Sequence, residues 1–108
     1  GDLIESVNKT HATPFKLDYA FDAAGHPEQY YCRSDHYEYA RYGIPIVFMS
    51  TGSHVDYHQI TDEPQYINYA HLAKTASFLA DVATRVANLD HRVVVDHAKP
   101  DPHGECVQ

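Results

Sequence analysis

Positively charged side chains are scarce in this sequence of 108 residues. Only 8 Lys and Arg residues stand against 15 Asp and Glu residues, which gives a net charge of -7 and a pI of about 5.6. Nucleic-acid-binding proteins need clustered Lys and Arg for their phosphate contacts, and the cationic residues here are scattered. The scarcity argues against a nucleic acid partner and, for the same reason, against a membrane surface.

Long apolar runs and cysteines are also few. No stretch of about 18 apolar residues could span a bilayer, and no segment has the pattern of a signal peptide. Because residue 1 is Gly, not Met, we expect a C-terminal fragment or an excised domain of a longer protein. The two cysteines, Cys32 and Cys106, lack the spacing of a metal-binding pair. They can form a disulfide in an oxidising compartment if the fold brings them together, which the sequence alone does not establish.

Apolar residues, by contrast, form three clear patterns. Residues 46–50 follow Pro45 without alternating apolar and polar character, which predicts a buried central strand. Alternation over residues 15–21 predicts a second strand with one buried face. Asn68 is a good N-cap for a long helix that we expect to end near residues 90–92. Its apolar stripe consists of Leu72, Ala76, Leu79, Ala83 and Val86, with Phe78 and Val82 beside it.

Two short helices complete the predicted elements. One covers residues 2–7, where Asp2 can cap and Glu5 follows three residues later. The other begins at Ser34 or Asp35 and ends at Gly43. Residues 93–95 could add an edge strand, and an extended tail follows them. Together the patterns predict an α/β fold.

A family resemblance rests on two strings. RSDHYEYARYGIPIVFMSTG at residues 33–52 and DYHQITD at residues 56–62 resemble the C-terminal part of the di-zinc exopeptidases. That family includes aminopeptidases, glutamate carboxypeptidases and, more distantly, glutaminyl cyclases. The resemblance extends over residues 15–92 and implies a three-layer α/β fold, with central strands between helices and a long C-terminal helix. Residues 1–92 would be the C-terminal part of the catalytic domain, and residues 93–108 an extended tail.

The resemblance also implies roles for residues of the polar loop that follows the predicted central strand. His58 matches the last zinc ligand of the family, and its alternative role is a loop histidine that only satisfies backbone groups. Tyr57 matches a phenol that donates a hydrogen bond to the oxyanion, or it is simply packed. Asp62 either orients His58 or begins a turn. His54 is interpreted as a residue at the rim of the site, because the zincin pattern of two histidines needs a glutamate that is missing here.

Three residues upstream match the family as well. Asp35 corresponds to an aspartate that lines the active site, a role compatible with capping the short helix. Arg33 and Ser34 occupy positions that contact substrate in the family. His36 is interpreted as a structural residue that forms hydrogen bonds.

The resemblance implies an aminopeptidase that hydrolyses N-terminal peptide bonds with water activated by two zinc ions. The other metal ligands and the general base match nothing in this chain. We therefore expect the isolated chain to be inactive, to hold at most one zinc ion weakly, and to need the remainder of the catalytic domain or to self-associate. The alternatives are a non-catalytic interaction domain without metal and a glutaminyl-cyclase-like acyltransferase, although the cyclases have tryptophan where this chain has Tyr57. The resemblance alone favours a periplasmic or secreted location.

Overall fold

The computed structural model describes residues 1–95 and 98–108. These residues contain three α-helices: α1 (Asp2–Thr10), α2 (His36–Ala40) and α3 (Tyr69–Ala87). They also contain three short 3-10 turns at Ala20–Asp22, Tyr30–Cys32 and Pro64–Tyr66. The chain divides into a first unit, Gly1–Lys16 with Thr51–His91, and a second unit, Leu17–Ser50 with Arg92–Gln108. In the described ranges, no helix is both long and apolar enough to cross a bilayer.

The predicted α/β fold is wrong, because residues 1–95 and 98–108 contain no strand and therefore no three-layer sheet. The segments expected to form strands, residues 15–21, 46–50 and 93–95, pair with no other part of the described chain as a ladder. In the predicted central strand, Ile46, Val47 and Phe48 are 38%, 41% and 43% exposed. An apolar pattern shows which side chains a sheet would bury, but a strand also needs a neighbour for its backbone hydrogen bonds.

The long helix α3 begins as predicted and ends earlier. The Asn68 side chain accepts a hydrogen bond of 3.0 Å from the His71 N–H, which confirms the predicted N-cap. At the other end, both the main-chain N–H and the side-chain amide of Asn88 donate to the Thr84 carbonyl. The Asn88 main-chain bond is the last one with helical spacing, because the next amide, Leu89, donates to the Val86 carbonyl only three residues back. The helix therefore ends at Ala87 instead of near residues 90–92.

The buried face of α3 differs from the predicted one. Phe78 is 0% exposed and Val82 is 5% exposed, whereas Leu72 is 53% exposed and Leu79 is 36% exposed. The two residues predicted to broaden the stripe, Phe78 and Val82, are therefore the buried ones, and its five main positions are exposed: Leu72, Ala76, Leu79, Ala83 and Val86. The packing of α1 against α3 buries the edge of this apolar surface that carries Phe78 and Val82.

Helix α1 supplies the other half of this core. The prediction of a helix from residue 2 is confirmed, and the helix runs on to Thr10. Asp2 does not act as its cap; it lies in the first turn, where its negative charge favours the positive end of the helix dipole. Val7 is buried against the core, and the buried Asn8 exchanges two hydrogen bonds of 2.8 Å with the main chain of Phe15.

An aromatic cluster joins α1, the segment after it and α3. The rings of His11 and Phe15 pack against Phe78 with centroid distances of 5.5 and 5.3 Å. His11 Nδ1 lies 2.8 Å from a carboxylate oxygen of Asp81, so the buried imidazole has a polar partner. The Lys74 ammonium lies 3.9 Å from the centroid of the Phe15 ring, which adds a cation–π contact. This cluster holds the first unit together.

The second unit is held by a disulfide and a short helix. Cys32 and Cys106 are bonded, with their Cα atoms 5.8 Å apart, so the fold brings together two residues separated by 74 positions. Helix α2 is only five residues long. Gly43 ends the turn after it with φ +74°, and its N–H donates to the Ala40 carbonyl at 2.8 Å, which confirms the predicted stop.

Candidate functional site

The histidine loop, residues 54–62, is a compact series of turns in the first unit. Three main-chain hydrogen bonds of 2.8 to 3.1 Å close turns whose amide donors are Tyr57, Gln59 and Asp62. The loop contains neither helix nor strand, as its sequence predicts. Its polar side chains are therefore placed by turns of the main chain and lie near the surface.

His58 adopts a backbone conformation that is rare for a residue with a side chain. Its φ of 60° lies in the left-handed region, where such a residue costs about 1 kcal/mol or more. The residue is exposed, and its ring stacks on Tyr57 with centroids 4.0 Å apart and an interplanar angle of 19°. Strained conformations of this kind cluster at binding and catalytic sites. The structure thus brings the two principal predicted site residues into contact.

Tyr57 lies between two imidazoles. The ring of His54 meets it edge-on with centroids 6.1 Å apart, and His58 stacks on it. With 37% of the residue exposed, the tyrosine is only partly packed. These two ring contacts restrict the movement of the Tyr57 side chain, and its role as a hydrogen-bond donor to an oxyanion stays a prediction.

The carboxylate of Asp62 lies next to the imidazole of His54. Asp62 Oδ2 lies 3.8 Å from His54 Nε2, and both side chains are about half exposed, so the pair contributes little to stability. The orientation of His58 by Asp62 stays a prediction. Nearby, the Thr61 hydroxyl donates to Asp56 Oδ1 at 2.7 Å, which fixes the second carboxylate of the loop.

An open cleft beside the histidine loop was not predicted from the sequence. Its volume is about 330 Å³, and it is lined by Asp56, Thr61, Glu63 and Tyr66. Two carboxylates and a phenol give it a polar, acidic lining that favours a cationic group. The signal available in the sequence was the presence of Asp56, Asp62 and Glu63 within a short segment around Thr61.

The three upstream residues lie in the second unit. Arg33 forms an ion pair with Glu28 at 2.9 Å and covers the Tyr30 ring, with its guanidinium carbon 5.3 Å from the centroid. Ser34 and Asp35 accept main-chain hydrogen bonds from the first turn of α2. The Asp35 side chain makes no capping bond, so its carboxylate is not committed to the helix. Their participation in one site with His58 stays a prediction.

His36 does not have the hydrogen-bonding role expected for it. Its ring stacks on Phe48 with centroids 4.3 Å apart, and both ring nitrogens are buried without a hydrogen-bond partner among the described residues. Next to it, burial and, to a smaller extent, the neighbouring Tyr37 raise the pKa of Tyr31. This corner of the second unit is therefore an aromatic cluster that favours neutral side chains.

The residues described do not form a complete metal centre. Among residues 1–95 and 98–108, no group of three or more His, Cys, Asp or Glu side chains is arranged to hold a metal ion. Zinc sites in proteins use at least three protein ligands, and His58 is a single exposed imidazole. These residues by themselves do not fit a zinc ion, and we assign no reaction step to a metal held by them alone.

Comparison with known proteins identifies the class. The model of peptidase family M28 matches residues 1–83, more than three quarters of the chain. The chain therefore belongs to peptidase family M28. The match confirms the relation to zinc exopeptidases, and hence to the metallopeptidases and hydrolases, at the level of the family. It includes α1, the histidine loop and most of α3. Neither the comparison with curated proteins nor that with solved structures gives a match.

Proposed function

We propose that this chain is the C-terminal portion of a zinc-dependent aminopeptidase that hydrolyses N-terminal peptide bonds. The observation that carries the proposal is the stacked pair of Tyr57 and His58, which lies inside the segment matched by the M28 family. A general metallopeptidase relation follows from the family alone. The aminopeptidase assignment depends on what the histidine loop and its cleft can bind.

Each of the two stacked residues has a distinct task in this proposal. His58 would supply one neutral imidazole nitrogen to a metal centre whose other ligands would come from further polypeptide of the catalytic domain. Tyr57 donates its phenolic proton in a hydrogen bond to the oxygen that becomes negative when the scissile carbonyl is attacked. Zinc, when bound in such a centre, supplies Lewis acidity and an acidified water.

The acidic cleft supports a substrate with a free amino terminus. The α-amino group of a peptide is largely cationic at neutral pH, because its pKa is about 8. Asp56 and Glu63 place two carboxylates at one cleft, and Asp56 is held in position by Thr61. A cleft of this charge attracts an ammonium group and disfavours the terminal carboxylate that a carboxypeptidase must bind.

Further polypeptide of the same catalytic domain is the partner that we propose for the exposed apolar surfaces. On α3, Leu72, Leu79 and Val86 are 36% to 53% exposed along one side. An apolar face of this kind is unusual on an isolated soluble domain and is typical of an interface. We therefore propose that the 108-residue chain by itself is inactive and self-associates in solution.

The disulfide supports an oxidising location, in the periplasm or outside the cell. Disulfides persist in such compartments and are rare in the reducing cytosol. The Cys32–Cys106 bond links the C-terminal tail to the rest of the second unit. We propose this location together with the peptidase function.

A test uses the intact protein with its metal bound. Aminoacyl anilides with a free amino group should be cleaved, the N-acetylated versions should not, and a zinc chelator should abolish the activity. If the zinc-loaded protein cleaves neither substrate, the aminopeptidase proposal is wrong and a non-catalytic role is supported. Release of ammonia from peptides that begin with glutamine, without peptide cleavage, would instead support an acyltransferase of the cyclase type.

A further inference from the structure

The end of the C-terminal tail is bound by the loop of residues 21–31 within the second unit. The side-chain amide of Gln108 donates to the main-chain carbonyls of Phe21, at 2.5 Å, and Ala23, at 3.2 Å. Its side-chain carbonyl accepts a hydrogen bond of 3.0 Å from the Tyr31 N–H. The main-chain oxygen of Gln108 accepts a fourth bond, of 2.7 Å, from the Gly25 N–H.

This arrangement is complementary to a primary carboxamide. A glutamine side chain has an NH₂ group with two protons and one carbonyl oxygen. The loop presents two carbonyl acceptors to the NH₂ group and one N–H donor to the carbonyl oxygen, so each polar group of the side chain has a partner. A glutamate of the same shape would place an oxygen against two carbonyl oxygens, and that arrangement is repulsive.

Two features keep the loop in this form. Gly25 has φ +72°, in the left-handed region that glycine adopts without cost, and its N–H takes part in the site. Cys32 follows Tyr31 directly, and its partner Cys106 lies two residues before Gln108. The disulfide therefore holds the carboxamide at a high effective concentration beside its acceptors.

We propose that residues 21–31 form a binding site selective for a glutaminyl side chain, which Gln108 fills and the Cys32–Cys106 disulfide keeps filled. A dithiol reductant transfers two electrons and two protons to the disulfide, which becomes two thiols while the reductant becomes a cyclic disulfide. The tail then dissociates more readily, and the site accepts a glutaminyl residue of another peptide. The site lies in the second unit and does not depend on the peptidase proposal.

The first test measures hydrogen exchange at the Gly25 and Tyr31 amides by NMR, using the full chain with its disulfide intact. Gln108→Glu should accelerate exchange at both amides by roughly tenfold or more, because it removes the two hydrogen bonds donated to Phe21 and Ala23, places an oxygen against their carbonyls and so releases Gln108 from the loop. Gln59→Glu introduces the same charge at an exposed position of the histidine loop and should leave both rates unchanged. Unchanged exchange in Gln108→Glu would overturn the proposal.

The second test asks whether the site binds a carboxamide from another molecule. The probes are N-acetylglutamine amide and N-acetylglutamate amide, added at millimolar concentration to reduced Gln108→Ala protein. The glutamine probe should slow exchange at the Gly25 and Tyr31 amides, and the glutamate probe should not. Equal protection by both probes, or protection by neither, would contradict a selective site.

Discussion

Replacing Phe78 by alanine tests which side of α3 forms the core. Phe78 is the one large side chain that is fully buried among the described residues, at 0% exposure. It meets the rings of His11 and Phe15 at centroid distances of 5.5 and 5.3 Å. The substitution removes apolar area, leaves a cavity and deletes both aromatic contacts.

The expected loss is large for a chain of this size. Phe-to-Ala changes in protein cores lower the free energy of unfolding by about 3–5 kcal/mol. A domain of this length has roughly 5–15 kcal/mol in total, so the variant should lose a large share of its stability. Conversely, Leu79→Ala removes a side chain that is 36% exposed and lies about 100° around the helix from Phe78, and it should cost less than about 1 kcal/mol.

The assay is urea unfolding of the 108-residue chain, followed by far-UV circular dichroism, with wild type, Phe78→Ala and Leu79→Ala compared at one protein concentration. The expected order of midpoints is wild type, then Leu79→Ala slightly lower, then Phe78→Ala far lower. If Leu79→Ala proves as damaging as Phe78→Ala, the side of α3 that carries Leu79 belongs to the core, and burial of the Phe78 side alone is wrong.

Three further predictions concern the second unit. Replacing both Cys32 and Cys106 by serine should lower the free energy of unfolding by about 4 kcal/mol, because the disulfide closes a loop spanning 74 positions and so restricts the unfolded chain. Equal urea midpoints for the variant and the wild type would contradict this. Burial raises the pKa of Tyr31 in the folded state, so above pH of about 10 the unfolded chain loses this proton before the folded chain does. The contribution of Tyr31 to the free energy of unfolding should therefore be fully present below pH of about 10 and should fall above it. Tyr31→Phe should reduce that alkaline loss, measured as unfolding free energy against pH; an unaltered pH profile would refute the assignment. Gly43→Ala should lower the free energy of unfolding by about 1–2 kcal/mol, because φ at this position is +74° and alanine is strained there. The added methyl group would lie at an ordinary 3.5 Å from Lys99, so the cost comes from the backbone and not from a clash. An unchanged midpoint in the same urea assay would contradict this backbone strain.

Local signals in the sequence predicted local structure well. The Asn68 cap, the Gly43 stop and the beginning of α1 depend on contacts within a few residues, and the structure confirms each of them. The same holds for the irregular character of the histidine loop. These features need no information about distant parts of the chain.

Features that depend on a distant partner were predicted poorly. The apolar run at residues 46–50 was expected to be a central strand, but a strand forms only beside another strand, and no described segment pairs with it. For α3, periodicity identified an apolar helix without showing which side α1 covers. The disulfide between Cys32 and Cys106 was left open for the same reason, since spacing along the chain does not give distance in space.

For the candidate site, the sequence supplied the residues and the structure supplied part of their arrangement. Tyr57 and His58 are adjacent in sequence, yet their stacking depends on the left-handed conformation of His58, which no sequence pattern indicated. The acidic cleft lined by Asp56 and Glu63 is formed by the path of the loop. The tasks assigned to these residues remain predictions for the intact protein.

The most direct measurement is the zinc content of His58→Ala in the intact protein, determined together with its peptidase activity. If His58 is the last ligand of the metal centre, zinc content and activity should fall together, whereas Tyr57→Phe should retain zinc and lose turnover, and His54→Ala should retain zinc. Full zinc occupancy in His58→Ala would contradict the assignment on which the proposed function rests.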